Sequence, residues 1–308
     1  MPFIEKLQRW IADPPPEQLF EITESSIAAG SPRAPSQYRQ EMLAERGLTA
    51  SPSAPNLLKP NLYRDILPRL SPLNGTKRPA TALVIPDYAV RMAILDFEEF
   101  PAGEPERIAL IRFRLRKSVP FHIDEAQLSY SVQKDEPKAV EVLAVAIARP
   151  ILEEYETLFV EAGYRVGVVM PSCLAALRLC NAGAVGPSLL VKAAGAAISV
   201  VLFEGNRVHL IRCLDLHGGD EAEVEPPEEH ADGDLIAPLL QQTLAYAEDQ
   251  LGTAVKQLLL CGFGAETETL GERARNEFGV PYTAVSSKFG AASQQNAGLL
   301  GLLERYAA

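Results

Sequence analysis

The run from Ser188 to Leu214 constrains this chain most. Three apolar stretches, Ser188 to Ala194, Ile198 to Glu204 and Arg207 to Leu214, follow one another, the second pair joined by the tight turn Gly205-Asn206, which reads as a three-stranded meander. Strands this apolar need cover, and the chain supplies it at once. An amphipathic helix is predicted over Leu235 to Leu251, a buried strand over Gln257 to Cys261, a turn at Gly262, Phe263 and Gly264, and a helix from Glu266 to Phe278. Strand, glycine turn and helix form a unit whose free backbone amides suit a nucleotide phosphate, although a tight strand-to-helix turn needs the same glycines. The layering is that of an α/β lobe, and 308 residues with 47% hydrophobic content leave room for two.

The first half reads as a similar mixture. Leu19 to Ala28 is predicted as one strand, and Gly30 to Pro55 is rich in Ser, Pro, Ala and charge, with a turn of helix or strand around Tyr38 to Leu43. NLYRDILPRL, after Pro60, is a helical pattern cut by Pro68. Thr81 to Ile85 and Ala89 to Phe97 read as two strands joined through Pro86 and Asp87 as a hairpin. Glu104 to Lys117 alternates as a strand would, but Ile108, Ile111 and Leu115 fit helical spacing, and we read it as a helix carrying Arg107, Arg112, Arg114, Arg116 and Lys117. Strands Leu128 to Gln133 and Val140 to Ala148, helix Ile151 to Ala162 closed by Gly163, and strand Arg165 to Met170 follow. Ser172 is the expected N-cap of a helix reaching Cys180, and Gln295 to Tyr306 is the last helix. An amphipathic helix over Pro2 to Ala12, ended by Pro14 to Pro16, is predicted at the start.

Several function classes are disfavoured by composition. The four cysteines, Cys173, Cys180, Cys213 and Cys261, sit in apolar runs without CxxC spacing, and His122, His209, His217 and His230 are scattered, so no metal site is expected. The segment from Cys213 to Val255 holds eleven acidic residues and no Lys or Arg, which is the whole excess behind the net charge of −11. That surface repels phosphate backbones, so no nucleic acid is expected as a partner. No apolar run approaches the roughly 18 residues of a membrane span, and the charged start does not resemble a signal peptide. A cytoplasmic chain is the expectation.

Taken in order, ALVIPDYAVRMAILDF, IALIRFRLRKSVPFHIDEAQLSYSV, VLAVAIARPILEEYETLFVEAGYRVGVVMPSCLAALRL, LLVKAAGAAISVVLFEGNRVHLIRCLDL and LLLCGFGAETETLGERARNEFGVPY resemble PilM, the actin-like component of type IV pilus machines. The likeness is more distant to FtsA and to the cytoplasmic domain of type II secretion L proteins. It runs from Leu19 to Tyr306. It implies an actin-like (ribonuclease H-like) two-lobed α/β fold with an inserted small α+β subdomain. The implied division is an N-terminal helix and linker over 1–17, a first lobe over 18–182 with the insertion at 81–148, and a second lobe over 183–308.

The resemblance also implies where ATP would sit. Actin-like proteins hold it between two hairpins bearing Asp-x-Gly and a glycine-rich adenosine turn, because backbone amides must approach phosphate closely and Mg²⁺ takes hard carboxylates. In this chain FEITESS resembles the first hairpin, with Glu21 at the Asp position, Thr23 at the Gly position and Ser25 in the same segment. VKAAGAAIS resembles the other hairpin; it keeps Gly195 but has Lys192, Ala193 and Ala194 in place of a carboxylate, and the adenosine turn keeps Gly262 and Gly264. One carboxylate in place of two points away from hydrolysis, while Lys192 would neutralise a phosphate without metal, so the cofactor is left open between ATP, with or without Mg²⁺, and none. The implied role is a non-catalytic adaptor on a pilus or secretion platform. It would bind the cytoplasmic N-terminal peptide of a PilN-like inner-membrane protein and reach the membrane only through it. Arg112, Arg116 and Phe121 are the candidate partner residues. The alternative is an active ATPase or kinase of the same fold, with Glu21 as its one nameable carboxylate.

Overall fold

The computed structural model describes residues 15–73, 77–180, 186–216 and 233–307. The helix expected over 2–12 and most of the acidic loop over 215–234 lie outside the described residues.

Strand β1 (Gln18–Ile22) pairs antiparallel with β2 (Ser26–Gly30), with Ile22 opposite Ile27. A single strand was expected through this stretch. It breaks because the Thr23 N–H donates to the Ser26 carbonyl at 3.0 Å and the two side-chain hydroxyls lie 2.7 Å apart, closing a tight turn. β3 (Arg39–Met42) pairs with the far side of β2. Helix α1 (Pro60–Leu70) runs through Pro68 instead of stopping there. Pro60 sits in the first turn, where its missing N–H costs nothing, and Pro68 falls in the last turn. Buried Tyr63, Ile66, Leu67 and Leu70 hold the helix on the sheet against the proline's local cost.

β4 (Ala80–Ile85) lies parallel between β1 and β8 (Arg165–Pro171), giving a sheet in the order β3-β2-β1-β4-β8. The expected hairpin with β5 (Arg91–Phe97) does not form, because β5 belongs to a separate three-stranded sheet. All six residues of β4 are buried, as a strand covered on both faces requires, whereas β5 is mostly half-buried. One face of the first sheet carries α1 and α3 (Arg149–Glu161); Phe20 anchors their core, its ring 5.0 Å from those of Phe159 and Tyr164.

The second sheet repeats the plan. β9 (Ser188–Ala194), β10 (Ala197–Glu204) and β11 (Arg207–Asp215) form the predicted meander, and β12 (Gln257–Cys261) and β13 (Tyr282–Ala284) add in parallel, giving β11-β10-β9-β12-β13. Position for position this matches the first sheet: an antiparallel three-strand start, then two parallel strands. Its outer face is covered by α5 (Gly233–Leu251) and α6 (Thr267–Phe278).

The insertion consists of β5, helix α2 (Glu104–Leu115), β6 (Gln127–Glu136) and β7 (Ala139–Ile147), with sheet order β5-β7-β6 and Ile111 and Leu115 of α2 packed on it. It therefore spans 91–147 among the strands, and β4, expected inside it, belongs to the main sheet. The short helix α4 (Ser172–Ala176) follows β8; its N-cap is Pro171, with no side-chain cap, so Ser172 does not play the capping part expected of it. The last helix, α7 (Ala297–Tyr306), was assigned with the second lobe but packs on the first, where Leu299, Leu300, Leu302 and Leu303 are fully buried against Leu19, Ala82 and Val84. Each such leucine contributes about 2 kcal/mol of burial. Among the described residues no helix is long and apolar enough to cross a membrane.

Candidate functional site

The two lobes meet at the turns that the duplicated sheets place alike. The β1–β2 turn and the β9–β10 turn are close enough that a Cβ on Gly195 would lie 2.8 Å from Glu24 Oε2; Gly195 itself has φ +59°, which favours glycine. The Gly195 N–H donates to Gln294 Oε1 at 3.0 Å. Gly262, at φ +85°, lies against the same group: a Cβ there would meet Ala193 O at 2.6 Å and Gln294 Cγ at 3.0 Å. Gly264, at φ +52°, turns the chain into α6 with open space beside it. Gly195 and Gly262 thus lie close together, and Gln294, which sequence reasoning missed, stands against both.

The other candidates are engaged elsewhere. Thr23 bonds Ser26 within its own turn, and the Ser25 carbonyl accepts the Leu43 N–H at 2.7 Å. Glu21 is buried; its Oε2 accepts the Leu299 N–H at 2.8 Å in the first turn of α7, and its Oε1 accepts the Ser172 hydroxyl. The carboxylate therefore caps α7, whose N-terminal dipole favours it there. Burial raises its pKa, against the pull of the Lys192 charge.

Lys192, expected to meet phosphate, is wholly enclosed, with its ammonium 3.5 Å from Asp87 Oδ2. Asp87 sits just after β4; its Oδ1 accepts the Cys173 N–H at 2.7 Å and its Oδ2 accepts the Ser199 hydroxyl at 2.8 Å. Burial works to lower the Lys192 pKa, but the Asp87 and Glu21 carboxylates outweigh it and the ammonium is held above its ordinary range. The Cys213 and Cys261 thiols nearby are pushed up to about 12, chiefly by burial, and are not reactive thiolates. Sequence reading treated Asp87 as a hairpin corner; only the pairing of β4 with β8 carries it into the lobe junction.

These groups do not fit a Mg²⁺-nucleotide. Both carboxylates already hold hydrogen bonds, the Asp87 carboxylate also faces the Lys192 ammonium, and the hairpin amide that would meet phosphate is taken by Gln294. Among the described residues no group of three or more His, Cys, Asp or Glu is arranged to hold a metal ion.

A groove is the second candidate site. Its volume of about 640 Å³ is bounded by Ser131 to Gln133 of β6, by Leu174, Leu177 and Arg178 at α4, by Leu302 and Arg305 of α7, and by the β10–β11 turn. β6 pairs only with β7, so its other edge is unpaired by any strand among the described residues. The end of the groove is pinned where the Gln133 side-chain amide accepts the Val208 N–H at 2.8 Å and donates to the Val208 carbonyl at 2.9 Å, and where Arg207 grips Glu141 with two bonds of 2.8 Å. Arg112, Arg116 and Phe121 do not line this groove. Arg112 bonds the Ala126 carbonyl, Arg116 pairs with Asp124 at 2.9 Å, and Phe121 packs on the insertion's own core.

No family profile matches the chain, and no curated protein sequence does. Solved structures do. The chain is similar to one described as a PilM-PilN type IV pilus biogenesis complex, at 19% identity over 96% of this chain and 100% of that one, with a TM-score of 0.73. It is also similar to a Bacteroides thetaiotaomicron protein with an actin-like ATPase fold and unknown function, at 12% identity over 93% and 95% of the two chains, with a TM-score of 0.54. The cytoplasmic domain of EpsL from the type II secretion system of Vibrio cholerae aligns at 9% identity over 94% and 93%, with a TM-score of 0.46. The fold is the actin-like ATPase fold.

Proposed function

We propose that this chain is a cytoplasmic adaptor of a type IV pilus or related secretion platform, and that it binds the N-terminal peptide of a PilN-like inner-membrane protein in the groove beside β6. Its attachment to the membrane runs through that partner. The observation that carries the reading is the groove itself: a strand edge flanks partly exposed apolar side chains, Leu174 and Leu177 among them, which is the form that takes an extended peptide by strand addition. The end-to-end likeness to a PilM-PilN complex chain supports it. On this reading the nucleotide cleft is non-catalytic and binds ATP weakly or not at all, consistent with the engaged Glu21, Lys192 and Gly195.

The test uses synthetic N-terminal peptides of the short membrane proteins encoded beside this one, titrated by fluorescence anisotropy. One peptide is expected to bind, and Leu174→Glu and Leu177→Glu, which put a charge in the groove, are expected to weaken it at least about tenfold, or about 1.4 kcal/mol. Binding that ignores both variants would overturn the site. A parallel melt with Mg²⁺-ATP is expected to show little shift, since a ligand at about 100 times its Kd adds about 2.7 kcal/mol. A large shift with turnover would favour an active ATPase or kinase instead.

A further inference from the structure

Lys192 is the only Lys or Arg among the described residues that is fully buried, and it lies at the junction of the lobes and not inside either one. It projects from β9 of the second lobe toward Asp87, which leaves the end of β4 in the first. Asp87 is bound from both sides at once: Cys173 of α4 gives a backbone N–H from the first lobe, and Ser199 of β10 gives a hydroxyl from the second. One carboxylate thus receives a hydrogen bond from each lobe and an ion pair across the boundary. Glu21, on β1, adds a second negative charge acting on the same ammonium. At the cleft turns, Gln294 gives an acceptor to the Gly195 N–H and packs on Gly262.

The junction is thus tied at two places by the chain's own side chains, the Lys192–Asp87 pair and the Gln294–Gly195 bond. The surroundings are matched to a permanent junction, since Cys173 and Ala176 of the first lobe share one buried apolar cluster with Leu190, Val201 and Cys261 of the second. Opening the lobes would expose that apolar cluster to water and break both the Lys192–Asp87 ion pair and the Ser199–Asp87 hydrogen bond. We infer that Lys192, Asp87, Ser199 and Gln294 form a built-in latch that holds the two lobes closed with no nucleotide and no metal ion bound. The lobes of this chain are fixed in one relation, so lobe closure is not its signal.

The latch does not depend on the adaptor reading: a peptide can fail to bind the groove while the latch holds, and the two experiments report separately. Spin labels are placed through a non-natural amino acid, leaving the native cysteines alone, at exposed Gln40 on the first lobe and exposed Thr269 on the second, and distances are measured on the full chain. The expected result is one narrow distance distribution in excess chelator that is the same with Mg²⁺-ATP. Lys192→Met, which keeps the length and removes the charge, is expected to broaden it and add longer distances. A broad wild-type distribution in chelator that narrows with Mg²⁺-ATP would overturn the inference, as would a Lys192→Met distribution identical to wild type. Should Lys192→Met fail to fold, the wild-type comparison decides, and Ser199→Ala, which removes one bond and no charge, supplies the second variant.

Discussion

Replacing Gly301 by alanine is the sharpest test of how the first lobe is closed. In a helix interior the change ordinarily stabilises by about 1 kcal/mol. Here the new methyl would lie 2.0 Å from the Ala175 carbonyl oxygen and 2.6 Å from its carbon, where ordinary contact begins at 3.4 Å. The obstacle is backbone of α4, which has no rotamer to change, so α7 must retreat by about 1.4 Å. Forcing a methylene-sized group into a packed interior costs about 1–3 kcal/mol, and rigid backbone puts this site at the upper end. The retreat also loosens Leu299, Leu300, Leu302 and Leu303, all at 0% exposure; a gap of about 50 Å³ beneath them adds about 1 kcal/mol. After the propensity gain is subtracted, the net loss is about 2–3 kcal/mol. With an m-value of about 2–3 kcal/mol/M, the urea midpoint falls by about 1 M. Gly167→Ala, where a Cβ meets nothing within 4 Å, is the control and stays within about 0.5 kcal/mol. Because Leu302 and Arg305 line the groove, Gly301→Ala is also expected to weaken peptide binding. An unchanged or raised midpoint for Gly301→Ala would refute the close approach of α7 to α4.

Two further outcomes are expected. His209 is buried, with its Nε2 unpartnered among the described residues, and burial, then the Arg207 charge, hold its pKa below 6.5. The unfolded chain therefore takes up a proton first as pH falls through 6.5, so stability drops there by at most about 1.4 kcal/mol per pH unit; urea midpoints at pH 7.5 and 5.5 should show a smaller loss for His209→Gln, and equal losses would refute it. Tyr155 is buried and donates its hydroxyl to Asn56 Oδ1 at 2.9 Å, while Ser51 N–H also reaches that oxygen, so Tyr155→Phe should cost only about 1 kcal/mol by the same assay; a cost above about 3 kcal/mol would mean that the hydroxyl organises more than this loop.

The periodic signals read well where a segment's neighbours in space are its neighbours in sequence. The meander from Ser188, the helix over α2 despite its alternating arginines, and the glycine turn after β12 all have local causes. Pairing between distant strands has none: Pro86 and Asp87 look like a hairpin corner, and nothing nearby states that β4 prefers β1 and β8 to β5. The same gap misplaced the candidate site. Glu21 and Lys192 are polar residues in apolar strands, which is what a ligand site and an internal bridge equally require; their partners, Leu299 and Asp87, are 278 and 105 positions away. Pro68 failed as a stop because packing of Tyr63 and Leu67 outweighs its local cost. Gln294 carries no motif at all, and only the closeness of Gly195 and Gly262 gives it a role.

The position of α7 has a consequence for how the chain is made. The first sheet precedes the second lobe in the chain, but its face bearing Leu19, Ala82 and Val84 is covered by a helix that follows that lobe. During translation that face stays open while β9 to α6, which together form a sheet with its own covering helices, already have what they need. The second lobe is therefore the one equipped to fold first, and the first lobe waits, one apolar face open, until α7 has been made.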